Sequence, residues 1–180
     1  GRSVASSMGF SALEGLAMAT RCGEVDPGLL LYLLDHEKMP VEELSHLLYE
    51  RSGLKGLSGI SGDMRVLEAS DAKEAREAIA YFVHRARMLI GALTATLGGL
   101  DALVFTAGIG EHSPRVRREI CSTMEWLGLS LDEKANARGA SRIEAKWAPT
   151  PIFVIPTDEE SMIARHTIAV AGLARLGAAG

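Results

Sequence analysis

The middle of the chain carries a repeating pattern of apolar residues that predicts one long amphipathic helix. Apolar side chains recur there every three or four residues and mark a single buried face. The residues of this face are Ala75, Ile79, Phe82, Ala86, Leu89, Leu93 and Leu97. Asp71 and Glu74 have the spacing of a capping box at the start of the helix, and Gly98 with Gly99 ends it.

Two short apolar runs, residues 101–107 and 151–155, predict buried strands. Each run is followed by signals for a turn and then for a helix. After the first run, residues 108–112 form a predicted Gly-x-Gly turn, and Ser113 with Pro114 is typical of an N-cap and a first helical position. Strands that alternate with helices favour an α/β fold.

The remaining pattern predicts three more helices and two loops. One helix runs from Pro27 to about Asp35, a second starts after Pro40 and closes at Ser52-Gly53, and the last follows the second strand. Thr157 and Glu160 have capping-box spacing at the start of this last helix. The helix from Pro114 to Gly128 is expected to bury Val116, Ile120, Met124 and Leu127. Residues 56–62 read as a Gly/Ser-rich loop, and residues 129–150 as a hairpin or loop.

Composition and charge exclude several classes of protein. The chain has 180 residues, of which 47% are hydrophobic and 23% charged, and this is a globular balance. The net charge of -4 and the lack of a basic stripe argue against a nucleic-acid partner. No apolar run approaches the roughly 20 residues that span a bilayer, so we expect no membrane association. Two cysteines, Cys22 and Cys121, supply neither a disulfide scaffold nor a zinc site, and a cytoplasmic location is expected.

The first residues suggest that the chain is part of a longer protein. Residues 1–4 contain no initiator Met and no signal-peptide pattern. We therefore expect that a further segment precedes Gly1.

The Gly-x-Gly segment after the first strand is a candidate phosphate site. Glycine lets a backbone approach a ligand closely, and a following helix would point free N–H groups at an anion. The alternative is an ordinary connection between a strand and a helix that merely uses glycine, and the spacing alone leaves both open.

Two further segments contain candidate residues for phosphate chemistry. Asp158, Glu159 and Glu160 follow the second strand and could hold Mg²⁺, although acidic residues also favour a helix N-terminus for electrostatic reasons. Arg21 lies in a predicted turn, where its planar guanidinium could meet a transferring phosphoryl group. The alternative for Arg21 is an arginine on a solvent-exposed loop.

Five segments, taken together, resemble the acetate kinase family in their order and spacing. They are SMGFSALEG at 7–15, ATRCG at 19–23, SGDMR at 61–65, FTAGIGE at 105–111 and IPTDEE at 155–160. The resemblance covers the whole chain but only the carboxyl-terminal half of the family. The amino-terminal half, with its phosphate loop, is absent from this chain.

This resemblance implies both a fold and a reaction. The fold is a ribonuclease-H-like, actin-like ATPase lobe of the acetate and sugar kinase superfamily. The reaction is the reversible transfer of a phosphoryl group from ATP to acetate, which gives ADP and acetyl phosphate with Mg²⁺ present. The family's carboxyl-terminal half also forms a homodimer interface, so a homodimer is expected.

The resemblance also assigns roles to individual residues. Arg21 matches the arginine that stabilises the transition state, and Glu159 matches a glutamate linked to Mg²⁺. Asp63, Met64 and Arg65 match a segment around the adenosine. A nucleotide-binding turn is matched by Gly108, Ile109, Gly110, Glu111 and His112.

The chain departs from the family pattern at several positions. His112 and Asp158 stand where Asn is common, and Ala5 stands where Asp is usual. Ala12 replaces a proline that lies near the methyl end of acetate in the family. A smaller, less restricted residue there predicts room for about one more methylene, and hence better use of propionate.

The sequence therefore predicts the nucleotide-binding and dimerisation half of an acetate kinase. The fragment alone is expected to be inactive. Alternatives are a kinase of propionate or butyrate, a non-enzymatic actin-like nucleotide-binding module, and a purely structural dimerisation domain.

Overall fold

The structure, a computed structural model, describes residues 2–172 as nine α-helices, one 3-10 turn and two strands. The elements before the first strand are α1 (Pro27–Asp35), α2 (Val41–Glu50), α3 (Gly53–Ser58), α4 (Met64–Glu68) and α5 (Lys73–Leu97). The later elements are β1 (Leu103–Phe105), α6 (Ala107–His112), α7 (Pro114–Cys121), a 3-10 turn (Glu125–Leu127), α8 (Glu133–Ala137), β2 (Ile152–Val154) and α9 (Glu159–Val170).

The two strands pair in parallel, and their carboxyl ends lie side by side. Leu103 pairs with Ile152 and Phe105 with Val154, and Ile155 continues the pairing through a 2.9 Å bond from its N–H to the Phe105 carbonyl. The chain between the strands passes through α6, α7 and α8. Parallel pairing requires a crossover of this kind, and it brings the two loops that follow the strands to one edge.

Helix α5 provides the central wall of the core. Its buried residues are Ala75, Ala78, Ile79, Phe82, Val83, Ala86 and Thr94. The predicted face is confirmed as far as Ala86, whereas Leu97 is 58% exposed. The predicted capping box is wrong, because the N-cap is Ala72 and no side chain caps the helix. Gly98 ends the helix as predicted, with φ of 76°.

Helix α7 begins as its sequence predicts and ends earlier. Ser113 is the N-cap, and its hydroxyl accepts a 3.0 Å bond from the Val116 N–H. The helix ends at Cys121 rather than near Gly128. Met124 is nevertheless buried, because the chain turns back onto the core through the 3-10 turn.

Two predicted loops contain short helices. Residues 56–58 belong to α3, whose C-cap is Gly59 with φ of 64°, so the loop starts later than predicted. Residues 133–137 form α8, because the Asp132 carboxylate accepts bonds from the N–H groups of Lys134 and Ala135. Helices of five or six residues are too short for apolar periodicity to reveal them.

Three α-helices, α1, α6 and α9, bury no residue within the described chain, and α1 and α9 expose large apolar side chains. On α1, Leu29, Leu31 and Tyr32 are 50%, 68% and 48% exposed. On α9 the exposed apolar residues are Met162, Ile163, Ile168 and Val170. Across residues 2–172, none of the helices combines the length and the apolar character needed to cross a membrane.

Candidate functional site

A cavity of about 840 Å³ lies between α4 and α6 at the carboxyl edge of the strands. Its lining residues are Ala19, Gly62, Asp63, Met64, Arg65, Glu68, Gly108, Ile109, His112 and Ser113. The fold thus brings together two segments that are more than 40 residues apart in sequence. A cavity of this volume accommodates a nucleotide-sized ligand.

Asp63 and Arg65 form a hydrogen-bonded ion pair on the α4 side of this cavity. The Asp63 carboxylate caps α4 by accepting a 2.9 Å bond from the Arg65 N–H. It also accepts bonds from Arg65 Nε and Nη2, at 3.1 and 2.6 Å. These hydrogen bonds from Arg65 lower the pKa of Asp63, so the carboxylate stays ionised at neutral pH. Met64, in contrast, is buried at 4% exposure and forms part of the core.

The other side of the cavity is helix α6, which was predicted to be a turn. Its glycines have different roles. A Cβ added to Gly110 would lie 3.4 Å from the Phe105 backbone, an ordinary van der Waals distance, so Gly110 faces the end of β1. A Cβ added to Gly108 would meet no atom within 4 Å, so Gly108 faces open space. Ile109 and His112 line the cavity beside Gly108.

Glu111, predicted to bind the nucleotide, points its carboxylate at the loop after β2. It accepts bonds from the Thr157 N–H at 2.9 Å and from the Thr157 hydroxyl at 3.0 Å. The bond from the Thr157 backbone is the main cause that lowers the pKa of Glu111. In this arrangement Glu111 joins the two loops.

Arg117 is a buried residue of this site that the sequence analysis missed. Its side chain is fully buried, and its Nη1 donates 2.8 Å bonds to the carbonyls of Gly110 and Glu111. Nε and Nη2 donate to the Asn136 side-chain and backbone oxygens. Burial lowers the pKa of Arg117. Arg117 therefore fixes the carboxyl end of α6 against α8.

One signal in the sequence could have revealed part of this wall. Arg117 lies three and four residues before Ile120 and Cys121, both buried, and so falls on the core face of α7. The Ser113 hydroxyl, predicted only as a cap, also donates a hydrogen bond to the Glu68 carboxylate. Glu68 lines the cavity, and nothing local in the sequence marks it.

A smaller cavity of about 480 Å³ adjoins the first at Gly108, which lines both. Its other lining residues are Ala107, Glu111, Thr157, Asp158, Glu159 and Glu160. Asp158 is the N-cap of α9 and accepts a 3.1 Å bond from the Ser161 N–H. The capping box predicted for Thr157 and Glu160 is therefore wrong. Glu159 lies exposed in the first turn of α9.

Of these carboxylates, Glu159 could help to hold a Mg²⁺ ion. Over residues 2–172 there is no cluster of three or more His, Cys, Asp or Glu side chains that could hold a metal ion. Asp158 and Glu111 already accept hydrogen bonds from the protein. Mg²⁺ bound to phosphates needs only one or two carboxylates and keeps several waters, so the exposed Glu159 suits that role.

Arg21 lies in a separate cleft of about 860 Å³, beside α2. Its guanidinium carbon is 5.9 Å from the centroid of the Tyr49 ring, a cation–π distance. Thr20 anchors the segment through a 2.8 Å bond from its hydroxyl to the Tyr49 carbonyl. Ala12 is half-buried in the irregular segment before α1 and lines neither this cleft nor the 840 Å³ cavity.

Comparison with known proteins gives consistent matches. The model of the Acetokinase family matches residues 1–165. The acetate kinase of Methylocella silvestris is 57% identical over 170 residues, which are 94% of this chain and 42% of that protein. The acetate kinase of Rickettsia akari is 46% identical over 93% of this chain and 44% of its own length. The chain thus spans less than half the length of these relatives.

Solved structures match at the level of the fold. The acetate kinase of Porphyromonas gingivalis superimposes with a TM-score of 0.84 and 36% identity, over 92% of this chain and 43% of that one. A propionate kinase from Francisella tularensis superimposes with a TM-score of 0.82 and 38% identity, over 88% and 41%. These likenesses confirm the predicted α/β lobe of the actin-like ATPase type.

Proposed function

The chain belongs to the acetokinase family, and from this premise we propose that it is the carboxyl-terminal, nucleotide-binding half of an acetate kinase. The complete enzyme would transfer a phosphoryl group reversibly from ATP to acetate, with Mg²⁺ carried by the nucleotide. The amino-terminal half would supply the remaining residues of the acyl and phosphate sites.

One arrangement supports this proposal above all others. Gly108 lines both the cavity between Asp63–Arg65 and Gly108–His112 and the smaller cavity that Glu159 lines. A nucleotide whose adenosine lies against Asp63 and Arg65 would extend its phosphates past Gly108. Its bound Mg²⁺ would then lie near Glu159, since phosphates and one carboxylate together satisfy this ion.

The residues of this chain would contribute positioning and charge. Phosphoryl transfer depends mostly on alignment of the reacting groups and on neutralisation of the charge that develops. Gly108 lets the phosphates approach the backbone of α6, and Glu159 orients the metal ion through its waters. Arg21, on the far side of residues 19–20, would meet the transferring group from the neighbouring cleft.

The exposed helices support a larger assembly. Apolar residues of α1 and α9, among them Leu31 at 68% and Ile163 at 65% exposure, are left open within the described chain. We propose that a second copy of the chain, in a homodimer, and the amino-terminal half together cover these surfaces. Sedimentation of the complete protein at several concentrations would test the dimer.

The two cysteines support a reducing, cytoplasmic compartment. Cys22 and Cys121 are both free thiols. Burial raises the pKa of Cys121 to about 12, so this thiol is inert at neutral pH. Neither cysteine is assigned a role in the reaction.

A composite enzyme provides the experiment. In it, this chain replaces the matching segment of the Methylocella silvestris acetate kinase, which is 57% identical to it over 170 residues. We expect the composite enzyme to form acetyl phosphate from ATP and acetate when Mg²⁺ is present. The intact relative is the positive control, and this chain alone should form none.

Two outcomes of this assay would count against the proposal. Binding of ATP without turnover by the composite enzyme would favour a non-enzymatic nucleotide-binding module. Loss of ATP binding would contradict the assignment of the cavity.

A propionate kinase is the second candidate, and a specific observation favours it. The Francisella tularensis structure that superimposes on this chain is a propionate kinase. Ala12 stands where the family has proline, and in the complete enzyme it would widen the acyl pocket. The composite enzyme should therefore be assayed with acetate, propionate and butyrate side by side.

A further inference from the structure

The Thr157 hydroxyl forms every hydrogen bond of which it is capable, and its partners are Thr106 and two residues of α6. A hydroxyl has one proton to donate and two lone pairs to accept with. Thr157 donates to the Glu111 carboxylate at 3.0 Å and accepts from the Ala107 N–H at 2.9 Å. Its oxygen lies 2.7 Å from the Thr106 hydroxyl, which supplies the remaining proton.

This bridge begins where the pairing of the strands ends. The last backbone bond between the two strands runs from Ile155 to Phe105. Thr157 lies two residues further on and adds its own N–H to the bridge, at 2.9 Å from the Glu111 carboxylate. Glu111 belongs to α6, so the bridge connects the cavity helix to the segment that carries Glu159.

The bridge includes a residue, Ala107, whose backbone has an uncommon conformation. Ala107 has φ of 59°, in the left-handed region that residues with a side chain rarely adopt. Its N–H is the group that Thr157 holds. Strained conformations of this kind persist where the surroundings impose them, and they cluster at functional sites.

We propose that Thr157 is a positioning residue that fixes Glu159 relative to Gly108 and thereby couples the binding of Mg²⁺ to the binding of the nucleotide. This inference rests on the proposed function. Gly108 lines both cavities, and Glu159 lines the smaller one. A shift of the β2 loop would move the carboxylate away from the phosphates while leaving the adenosine side of the cavity intact.

The coupling between Mg²⁺ binding and nucleotide binding can be measured. It equals the factor by which Mg²⁺ strengthens nucleotide binding, and loss of the bridge should reduce that factor. The loss of hydrogen bonds of ordinary strength corresponds to about a three- to tenfold change. Thr106, Ala107 and Thr157 are all exposed, so the same change should leave the melting temperature nearly unchanged.

The experiment measures ATP affinity of the composite enzyme by calorimetry, once with Mg²⁺ and once with EDTA. Thr157→Val removes the hydroxyl and keeps the shape, whereas Thr157→Ser keeps the hydroxyl. Thr96→Val is the matched control, because Thr96 is exposed on α5 and bonds only within its own helix. Thermal unfolding of each variant is recorded in parallel.

We expect Thr157→Val to weaken MgATP binding three- to tenfold and to change binding in EDTA less than twofold. Thr157→Ser should restore the wild-type factor. An equal loss of ATP affinity with Mg²⁺ and with EDTA, or no loss in either, would overturn the inference. The proposed function would still stand in that case, provided that the wild-type composite enzyme is active. A wild-type composite enzyme that does not bind ATP would overturn both.

Discussion

Two clefts of nearly equal volume lie on either side of the segment that carries Arg21. The first, of about 840 Å³, includes Ala19 and is walled by α4 and α6. The second, of about 860 Å³, includes Thr20 and Arg21 and is walled by α2. The volumes therefore do not show which cleft binds the nucleotide, and the two clefts have to be distinguished by the groups that line them.

The two clefts differ in the groups that line them. The first cleft combines the Asp63–Arg65 pair with the open backbone of Gly108, which also lines the smaller cavity beside Glu159. The second presents one arginine among polar side chains of α2. We therefore expect changes in the first cleft to alter nucleotide and metal affinity, and changes at Arg21 to alter the rate of phosphoryl transfer.

The largest expected effect comes from Arg21→Ala. Removal of an arginine that stabilises the transition state costs about 10³-fold or more in kcat in phosphoryl-transfer enzymes. Steady-state kinetics of the composite enzyme should show this loss, with the KM for ATP little changed. A raised KM for ATP at constant kcat would instead indicate that the nucleotide binds in the second cleft, beside Arg21.

Glu159→Gln should have the next largest effect. The substitution keeps the shape and removes the charge, and attraction between a carboxylate and a divalent ion is strong enough for about a tenfold change in affinity. The Mg²⁺ concentration that gives half-maximal activity should rise accordingly. Glu74→Gln is the control, because Glu74 is an exposed carboxylate in the first turn of α5. An unchanged Mg²⁺ requirement would indicate that Glu159 does not bind the metal ion and only interacts favourably with the N-terminus of α9.

Ala12→Pro should change substrate preference and leave both clefts intact. One methylene in an apolar pocket is worth about tenfold or more in discrimination. We expect kcat/KM for propionate relative to acetate to fall about tenfold in the variant. If the ratio stays the same in a folded enzyme, Ala12 does not determine the size of the acyl group.

Gly108→Ala should have the smallest effect, and it should raise the stability of the protein while it lowers the affinity for ATP. Alanine in a helix is about 0.5–1 kcal/mol more stable than glycine, and the added Cβ meets no atom within 4 Å. The same Cβ would obstruct the approach of phosphates, so ATP affinity should fall about threefold.

Gly91→Ala is the matched control for this prediction. Gly91 lies in α5, and a Cβ added there also meets no atom within 4 Å. It should raise the melting temperature without altering ATP binding. Unaltered binding in Gly108→Ala as well would argue that the phosphates do not pass Gly108.

Features determined by neighbouring residues could be predicted from the sequence. Ser113 caps α7 and Asp26 caps α1, because each side chain reaches an N–H two or three residues ahead. The two strands were also predictable, since each is a short apolar run between polar signals. The α/β class follows from their alternation with helices.

Features determined by distant partners were not predictable in the same way. Thr157 has the local spacing of a capping box, yet its hydroxyl bonds to residues about 50 positions earlier. The contact of Glu111 with a nucleotide stays a prediction, and nothing local in the sequence indicates that its carboxylate accepts hydrogen bonds from Thr157. Arg117 is buried because α6 and α8 both offer oxygens to it, and no local pattern shows that both lie within reach.

Photolabelling of the composite enzyme with 8-azido-ATP tests the central claim most directly. The azido group marks residues beside the adenine, and peptide mass spectrometry identifies them. We expect labels within residues 62–68 or 108–113, and excess ATP should suppress them. Labels within residues 41–50, which form the wall of the second cleft, would contradict it.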